Sequence, residues 1–140
     1  TRINPPRSKG YNPVHKDIYE AFDKNGKFGN VALKTKIPRM VNIWIPICGV
    51  NKNTGLPIVP GSHLINENKI IRTKAGVVVE GQQYSVNCIK SWNGNTSMKL
   101  ISPEPSCGIV FSSHLIHGLA FNNNNDKTRV SLEFRLHLQS

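Results

Sequence analysis

Residues 40–48 read MVNIWIPIC, and their side chains alternate in kind from one position to the next. One set of alternate positions carries branched aliphatic residues, namely Val41, Ile43, Ile45 and Ile47. The other set is mixed and comprises Met40, Asn42, Trp44 and Pro46. A repeat of two residues is the period of a β-strand, because successive side chains point to opposite faces. We therefore predict a strand here, with two faces of different chemistry.

Short segments of the same kind recur along the rest of the chain, separated by turn residues. We expect further strands at residues 56–59, 70–71, 77–79, 83–89, 98–101, 108–111 and 129–138. Turns are expected at 51–55 and across the four asparagines at 122–125. A strand end running into a helical turn is expected over 15–22, an irregular lead-in over 1–13 and a mobile loop over 23–37.

This pattern predicts an all-β sandwich or barrel with few short helices, because no amphipathic run is long enough for a helix of more than two turns. We expect one domain spanning residues 1–140. Its last strand carries an apolar strip that needs a cover, formed by Leu132, Phe134, Leu136 and Leu138. The cover is expected from missing preceding sequence, from a partner in a homo-oligomer, or from residues 1–12 and 23–37. Thr1 is not an initiator methionine, so we expect the chain to be cut from a longer one.

The chain is strongly basic, with 18 Lys and Arg against 8 Asp and Glu and a formal net charge of +10. Such a charge favours an anionic partner, for example nucleic acid, a phosphorylated metabolite or a membrane surface. The basic residues are scattered along the chain, so a solvated basic surface explains the charge equally well. Several lysines in or near the first predicted loop hint at an anionic substrate: Lys16, Lys24, Lys27, Lys34 and Lys36.

Composition argues against membrane-spanning, secreted and disulfide-rich proteins. No segment approaches the roughly 18 apolar residues that cross a bilayer, and no charged-then-apolar leader opens the chain. The cysteines Cys48, Cys88 and Cys107 are odd in number and form no CxxC pair, which disfavours a disulfide framework or a zinc knuckle. We expect reduced, mostly buried thiols in a cytoplasmic protein.

His15-Lys16-Asp17 is the first group of residues that can carry chemistry. On an extended backbone, residues i and i+2 point to the same side, so the imidazole and the carboxylate can reach one metal ion while Lys16 faces away. Taken alone this His-x-Asp pattern is weak, because a loop histidine followed by a helix-capping aspartate looks the same.

His117 and Arg129 extend the pattern to a specific order of residues. A second histidine from a distant strand would complete a facial triad, the two-histidine, one-carboxylate set that leaves open positions on Fe(II). His114 competes for this role, although on a strand it would point the opposite way from His117. Arg129 can bind a carboxylate through its planar fork. Ser131, two residues on and on the same strand face, can donate a hydrogen bond to that carboxylate.

With these residues in this order, the chain resembles the catalytic part of the phytanoyl-CoA dioxygenase family of Fe(II)/2-oxoglutarate oxygenases. The resemblance covers about residues 13–136 and rests on three segments. The first segment is the His-x-Asp pattern at 15–17. The second comprises the Trp-bearing strand at 41–47, the Asn-Thr-Gly turn at 53–55 and the Pro-Gly-Ser-His signature within 59–63. The third comprises residues 108–111, 117–118, 122 and 129–132.

The resemblance implies a double-stranded β-helix, that is, a jelly-roll or cupin-like barrel, with iron at one open end. The iron ligands that it implies are His15, Asp17 and His117. The residues that it implies for binding 2-oxoglutarate are Arg129, Ser131, Trp44 and Asn42. The implied activity is hydroxylation of a small organic substrate, for which the lysines above hint at an anion, with 2-oxoglutarate and O₂ as co-substrates. His63, in the Pro-Gly-Ser-His turn, is expected to be structural.

The resemblance to the family also indicates which type of reaction to expect. Related halogenases carry a non-ligating residue at the position of Asp17, so the aspartate predicts hydroxylation and not halogenation. Some relatives have a small polar residue two positions after the second histidine that contributes to co-substrate binding. This chain has Leu119 there, so Ser131 is expected to contribute more to that binding. Family members are usually longer, and their helices before the His-x-Asp pattern cover the outside of the major sheet.

Other functions stay open on the sequence. A nucleic-acid oxidative demethylase of the same chemistry is suggested by the net charge and by Arg129 and Arg135, with five residues between them. The Pro-Gly-Ser-His turn and the short distance from His117 to Arg129 argue against it. A non-catalytic β-barrel binding module is disfavoured by the intact ligand set, and a cupin-type enzyme without a co-substrate is disfavoured by the Arg-x-Ser pair.

Overall fold

The structure is a computed structural model that describes residues 1–9, 13–19, 40–79, 82–118 and 121–137. The described residues are mainly strand with only a few short helical turns, so the expected mainly β class is confirmed. The strands are β1 (Arg2–Asn4), β2 (Ser8–Lys9), β3 (Met40–Cys48), β4 (Leu56–Ile58), β5 (Ile70–Val79), β6 (Gln82–Trp92), β7 (Lys99–Ile101), β8 (Ile109–Ser112), β9 (Phe121–Asn122) and β10 (Arg129–His137). Short 3₁₀ turns occupy Asp17–Tyr19, Ser62–Leu64 and Glu67–Lys69.

Most predicted strands are confirmed, and the errors have a common cause. The irregular lead-in predicted over 1–13 is wrong, because β1 pairs with β10 and β2 pairs with β9. The separate strands predicted at 70–71 and 77–79 are wrong too, since they belong to β5, which pairs with β6 along its length. In both places hydrogen bonds to a distant or neighbouring strand override weak local propensity. The loop predicted over 23–37 lies outside the described residues.

Four antiparallel strands form the main sheet, in the order β1-β10-β3-β8. The predicted strand at 40–48 is therefore central, with β10 on one side and β8 on the other. In this register Asn42 lies opposite Arg135, and Trp44 lies opposite Glu133. Residues directly opposite each other in an antiparallel pair share a face of the sheet, so these four side chains lie on one side.

The inner face of β3 is the mixed one. Met40, Asn42 and Trp44 are buried, whereas the aliphatic set is half-buried or exposed. The outer face of the main sheet is consequently apolar and accessible, and its most exposed members are Ile3, Ile47, Val110, Phe134 and Leu136. Phe134 is 48% and Leu136 53% exposed, as the expected apolar strip requires, while Leu138 lies outside the described residues. What covers this face stays a prediction.

A second layer faces the inner side of the main sheet. β4 pairs with β7, and isolated bridges join His15 to His117 and His117 to Ile58. These bridges connect the segments around 15 and 117 to β4 in one continuous hydrogen-bonded set. The buried core lies in two clusters: Ile18, Tyr19, Val59, Ile70, Ile89 and Ile116 in one, and Trp44, Leu56, Phe111 and Leu115 in the other.

The cysteines are all free, as expected, but their predicted burial is wrong for two of the three. Cys48 and Cys107 are exposed, and only Cys88 is buried. Cys48 stands near the end of β3, where the sheet register shifts and the alternation that buries Trp44 has ended. In the part of the chain that the structure describes, no helix is long and apolar enough to cross a membrane.

Gly118 lies where two neighbouring segments of the second layer approach each other closely. Its φ is +124°, and an added Cβ would lie 2.5 Å from the carbonyl oxygen of Pro13. Gly61 also has a positive φ, +77°, but no atom lies within 4 Å of the position of its added Cβ. Gly61→Ala should therefore lower the free energy of unfolding by only about 1–2 kcal/mol, the cost of the left-handed conformation alone.

Gly118→Ala should destabilise the protein several-fold more than Gly61→Ala, because the backbone at Pro13 must also move. Urea denaturation of both variants and the wild type measures the difference. Equal destabilisation by the two substitutions would contradict the close approach of residues 13 and 118.

Candidate metal centre

His15 and His117 are brought together by their own backbones. The N–H of His15 donates to the carbonyl oxygen of His117 at 2.9 Å, and the N–H of His117 donates to that of His15 at 3.0 Å. Such a reciprocal pair places two side chains next to each other on one face. The ring centroids are consequently 4.4 Å apart, although 102 positions of sequence separate the residues.

The main chain also fixes the orientation of both rings. Nδ1 of His15 lies 2.7 Å from the carbonyl oxygen of Pro13, and Nδ1 of His117 lies 2.9 Å from that of Leu115. A carbonyl oxygen can only accept, so in each neutral ring Nδ1 carries the proton and Nε2 carries the lone pair. This is the arrangement by which proteins prepare a histidine to ligate a metal through Nε2.

Asp17 completes the group at the start of its 3₁₀ turn. Its Oδ1 lies 3.2 Å from Nε2 of His15, and its Oδ2 lies 3.5 Å from Nε2 of His117. The side-chain amide of Asn42 donates to Oδ2, and Arg135 donates to Oδ1 at 2.7 Å. Burial opposes ionisation, but at the low pH where Asp17 titrates, the hydrogen bond from His15 and the positive charges of both histidines and Arg135 outweigh it. The pKa of Asp17 is lowered to about 2.

His117 is buried and lacks a hydrogen bond where it faces the group. Its Nε2 has no hydrogen-bond partner among the described residues, and the edge of the Phe111 ring packs against it, with centroids 5.0 Å apart. Burial and the neighbouring His15 lower the pKa of His117 to about 4, against the opposing charge of Asp17. The imidazole is therefore neutral at physiological pH and offers a lone pair.

These donors suit a divalent cation. The ligand atoms of His15, Asp17 and His117 all lie within 4.8 Å of one another. With metal–ligand bonds of about 2.1 Å, neighbouring ligands of a six-coordinate ion are about 3 Å apart, close to the two histidine–aspartate distances. Two lone pairs and a carboxylate that converge in a buried site repel one another, and a bound cation relieves that repulsion. The predicted ligand set is thus assembled in space.

Lys16, between two of these residues, faces away from them as predicted, but its side chain is not exposed to solvent. It is buried, its Nζ donates to Oε1 of Glu67 at 2.7 Å, and the hydroxyl of Tyr19 donates to Oε2 at 2.8 Å. Lys16 is therefore neutralised inside the protein, and the expectation that it attracts an anionic substrate is wrong. Lys24, Lys27, Lys34 and Lys36 lie outside the described residues.

The Pro-Gly-Ser-His signature supports the other side of the centre. Ser62 is buried, and its Oγ accepts from the N–H of Ile116 at 2.8 Å. The N–H of Val59 donates to the carbonyl oxygen of Ile116 at 2.9 Å. Both hydrogen bonds hold the residue next to His117. His63 is exposed and lies outside the group, and the structural role expected for it stays a prediction.

Arg129 forms a second notable feature on the inner side of the sheet. It is 1% exposed, Nε donates to the carbonyl oxygen of Thr54 at 2.7 Å, and Nη1 donates to Oδ1 of Asn4 at 3.1 Å. Ser131 Oγ lies 3.5 Å from Nη1, and the guanidinium lies 5.4 Å from the centre of the Trp44 ring. Burial, helped by the charge of Arg2, lowers the pKa of Arg129 to about 10, so it stays protonated at neutral pH.

No carboxylate of the described residues lies within 4.0 Å of the Arg129 guanidinium. A buried cation without a counter-charge is costly. The guanidinium of Arg129, with Ser131 and Trp44 beside it, can therefore bind an anion. A planar carboxylate matches the geometry of a guanidinium best.

The predicted site residues fall into two groups. Arg129, Ser131 and Trp44 lie together, whereas Asn42 lies against Asp17, so its predicted contact with 2-oxoglutarate stays a prediction. His114 is half-buried and lies outside the candidate ligand group. Leu119 lies outside the described residues.

Sequence reasoning missed the residues that support the two groups, namely Asn4, Thr54, Ser62, Glu67 and the role of Arg135 at Asp17. Thr54 and Ser62 lie inside recognised motifs, so the motifs themselves carried a signal for them. Asn4 and Glu67 lie in segments without a motif, and only the tertiary structure reveals their contacts.

Comparison with known proteins adds no identity. No family model, no curated protein and no solved structure matches this chain. The case for a function therefore depends on the geometry above.

Removing the carboxylate of Glu67 should destabilise the segment that carries His15 and Asp17. Glu67→Gln leaves Lys16 buried without a counter-charge, and we expect a loss of about 3 kcal/mol in the free energy of unfolding. Glu104→Gln, at an exposed acidic residue, serves as the matched control and should change it by less than about 0.5 kcal/mol. Chemical denaturation of both variants tests this, and equal effects would contradict a structural role for the Lys16–Glu67 pair.

His117 should make the metal-free protein less stable in acid. Its pKa is about 4 when folded and 6.5 when unfolded, so the unfolded state binds more protons between these values. The contribution to stability is present in full above pH 6.5, falls with pH and is lost below about 4, which amounts to roughly 3 kcal/mol. Asp17 acts in a lower window, between 3.8 and about 2.

Denaturation in the presence of a chelator, at pH 7 and pH 4.5, measures this loss. His117→Gln should remove most of the pH dependence between these values, because glutamine does not titrate. An unchanged pH dependence in the variant would assign the loss to other groups.

Proposed function

We propose that this protein is an Fe(II)- and 2-oxoglutarate-dependent dioxygenase that hydroxylates a small organic substrate. The observation that carries the proposal is the pairing of two features on the inner side of one sheet. One is a buried group of two histidines and a carboxylate with converging lone pairs. The other is a buried arginine without a counter-charge, Arg129. A metal enzyme that takes a dicarboxylate co-substrate needs both.

The strand arrangement supports a double-stranded β-helix. The main sheet, β1-β10-β3-β8, faces a second layer in which bridges link the segments around His15 and His117 to β4 and β7. Two facing antiparallel layers are the basic architecture of a jelly-roll barrel, and the candidate metal group lies between them. The candidate ligands come from the second layer, and Arg129 comes from the main sheet.

In this proposal, His15, Asp17 and His117 hold the iron, and Arg129 and Ser131 hold the far carboxylate of 2-oxoglutarate. When bound, the iron and the co-substrate supply the oxygen chemistry. The protein supplies orientation: carbonyl oxygens fix both imidazole rings, and Asn42 and Arg135 fix the carboxylate of Asp17. The buried rings of Trp44 and Phe111 keep water from the inner face.

The carboxylate at position 17 favours hydroxylation over halogenation, because it fills the ligand position that a halide would need. Its low pKa keeps it ionised, and therefore able to ligate, throughout the physiological range. A nucleic-acid oxidative demethylase remains the second candidate, supported by the net charge of +10 and by Arg135 lying beside the candidate metal ligands. Salt-sensitive binding to single-stranded DNA or RNA would favour that candidate.

Anaerobic titration with Fe(II) and excess 2-oxoglutarate tests the proposal. We expect a weak visible charge-transfer band from the metal–co-substrate complex. Asp17→Ala should weaken iron binding by more than about 100-fold and abolish the band, since it removes a ligand rather than a supporting contact. Arg129→Ala should keep iron binding but lose the band at moderate 2-oxoglutarate concentrations.

Asp126→Ala, at an exposed acidic residue, is the matched control and should leave the band unchanged. Circular dichroism establishes that each variant is folded. A folded, iron-loaded wild-type protein without the band would overturn the oxygenase proposal and favour a binding module or an enzyme without a co-substrate.

A further inference from the structure

A cavity of about 470 Å³ lies where β2 and β9 meet. Its lining comprises Arg7, Ser8, Phe121, Asn123 and Asn125. It thus brings together one cation, one aromatic ring, two carboxamides and a hydroxyl, without an acidic side chain. In the described part of the chain, none of these residues belongs to the candidate metal group or hydrogen-bonds to Arg129. The cavity therefore has no role in the oxygenase function proposed above.

The four asparagines at 122–125 divide into two pairs with different roles. Asn122 is fully buried, and its side-chain amide donates to three backbone carbonyl oxygens at 2.8 to 3.0 Å. Asn124 is half-buried, and its side-chain amide donates to a fourth carbonyl oxygen at 2.8 Å. Asn123 and Asn125 are exposed and line the cavity. The first pair therefore fixes the loop, and the second pair presents carboxamides to a ligand.

The alternation along β9 places an aromatic ring beside these carboxamides. Successive side chains of a strand point to opposite sides, and Asn122 points into the protein. Phe121 and Asn123 therefore emerge on the same side, and Phe121 is 37% exposed. β2 pairs Lys9 with Phe121, so Arg7, two residues earlier, lies about 7 Å from that pairing. One ligand can therefore contact both the ring and the arginine.

Arg7 is held at the cavity in an uncommon backbone conformation. Its φ is +55°, a left-handed value that is uncommon in residues other than glycine. Its N–H donates to the carbonyl oxygen of Asn124 at 3.1 Å, and its Nε donates to Oδ1 of Asn125 at 3.3 Å. Among the described residues, the terminal guanidinium nitrogens make no hydrogen bond, and no carboxylate lies within 4.0 Å of them. This edge of the fork can therefore bind an anion.

We propose that this cavity binds a nucleotide, with the phosphate at Arg7, the base against Phe121 and hydrogen bonds between Asn123 and the base. Inorganic phosphate would use only the arginine, and a neutral sugar would leave the cation unused. A nucleotide engages all three kinds of group, since arginine suits phosphate and an aromatic ring stacks on a base. The net charge of +10 favours such an anionic ligand. Free nucleotides and single-stranded nucleic acid share this chemistry.

Binding of single compounds to the purified protein tests the proposal. The probe is adenosine 5′-monophosphate, because an asparagine carboxamide can pair with N6 and N7 of adenine. Saturation-transfer NMR and isothermal titration compare it with adenosine, ribose 5-phosphate and inorganic phosphate, with and without excess 2-oxoglutarate. We expect each of the three to bind at least about tenfold more weakly, because each lacks a group that the cavity recognises. Excess 2-oxoglutarate should change none of these affinities.

Substitutions assign the binding to the cavity. Arg7→Gln removes the charge, and Arg7→Gly removes the whole side chain with a residue that suits the left-handed backbone. Both should weaken binding of adenosine 5′-monophosphate at least about tenfold, because a charge-assisted contact is lost. Phe121→Ala should weaken it at least about fivefold through loss of stacking. Asn123→Ala should weaken it about threefold or more through loss of hydrogen bonds.

Two matched controls remove the same kinds of group elsewhere. Lys99→Gln removes an exposed cation and Phe134→Ala an exposed phenylalanine, both outside the cavity lining, and both should leave the affinity unchanged. Circular dichroism establishes that each variant is folded. Binding that survives both substitutions of Arg7 would overturn the proposal, as would equally strong binding of adenosine, ribose 5-phosphate or inorganic phosphate. Competition by 2-oxoglutarate would place the nucleotide at Arg129 and would overturn it too.

A six-nucleotide oligoadenylate separates the two sources of the ligand. An oligomer that binds more tightly per nucleotide than the mononucleotide, with the same dependence on Arg7, assigns the cavity to single-stranded nucleic acid. An oligomer that binds equally or more weakly assigns it to a free nucleotide. An oligomer that binds tightly but independently of Arg7 and Phe121 contacts another surface, and together with a mononucleotide that does not bind it would overturn the proposal.

Discussion

The buried carboxylate of Asp17 is the interaction on which the candidate centre depends. It is a negative charge without solvent access, and it stays ionised only because His15, His117, Asn42 and Arg135 surround it. These residues come from both layers of the protein: the two histidines from the bridged segments, Asn42 and Arg135 from the main sheet. The contacts of this one carboxylate therefore connect the two layers, and the same contacts stabilise the fold and form the candidate site.

Much of this arrangement was predictable from the sequence, because it depends on local patterns. The alternation at 40–48 predicted the central strand, and the His-x-Asp pattern with His117 predicted a group of three residues whose potential ligand atoms lie within 4.8 Å of one another. The strands at 2–4 and 8–9 were not predictable, since β1 and β2 are held by β10 and β9 from the far end of the chain. Lys16 shows the same limit, because its partner Glu67 lies 51 positions away.

The direction of the alternation in β3 could not be deduced from hydrophobicity. The aliphatic residues face outward, and the mixed set with Asn42 and Trp44 faces the interior. An ordinary two-layer protein would turn the aliphatic side inward, since that buries more apolar area. Here the inner face must supply polar groups to Asp17 and Arg129, so the chemistry of the site decides which face is buried. The exposed aliphatic face is the consequence.

The balance of buried charges indicates which of the buried charged residues lacks a partner of opposite charge. Lys16 is neutralised by Glu67 and Asp17 is neutralised by Arg135, so these two sites are balanced by the chain itself. Arg129 is just as buried, but among the described residues only neutral oxygens and an aromatic ring contact it. An enclosed cation that has unused N–H donors and no anion of its own would be stabilised further by a bound anion. The imbalance at Arg129 therefore points to an anionic ligand more strongly than the charge of the whole chain does.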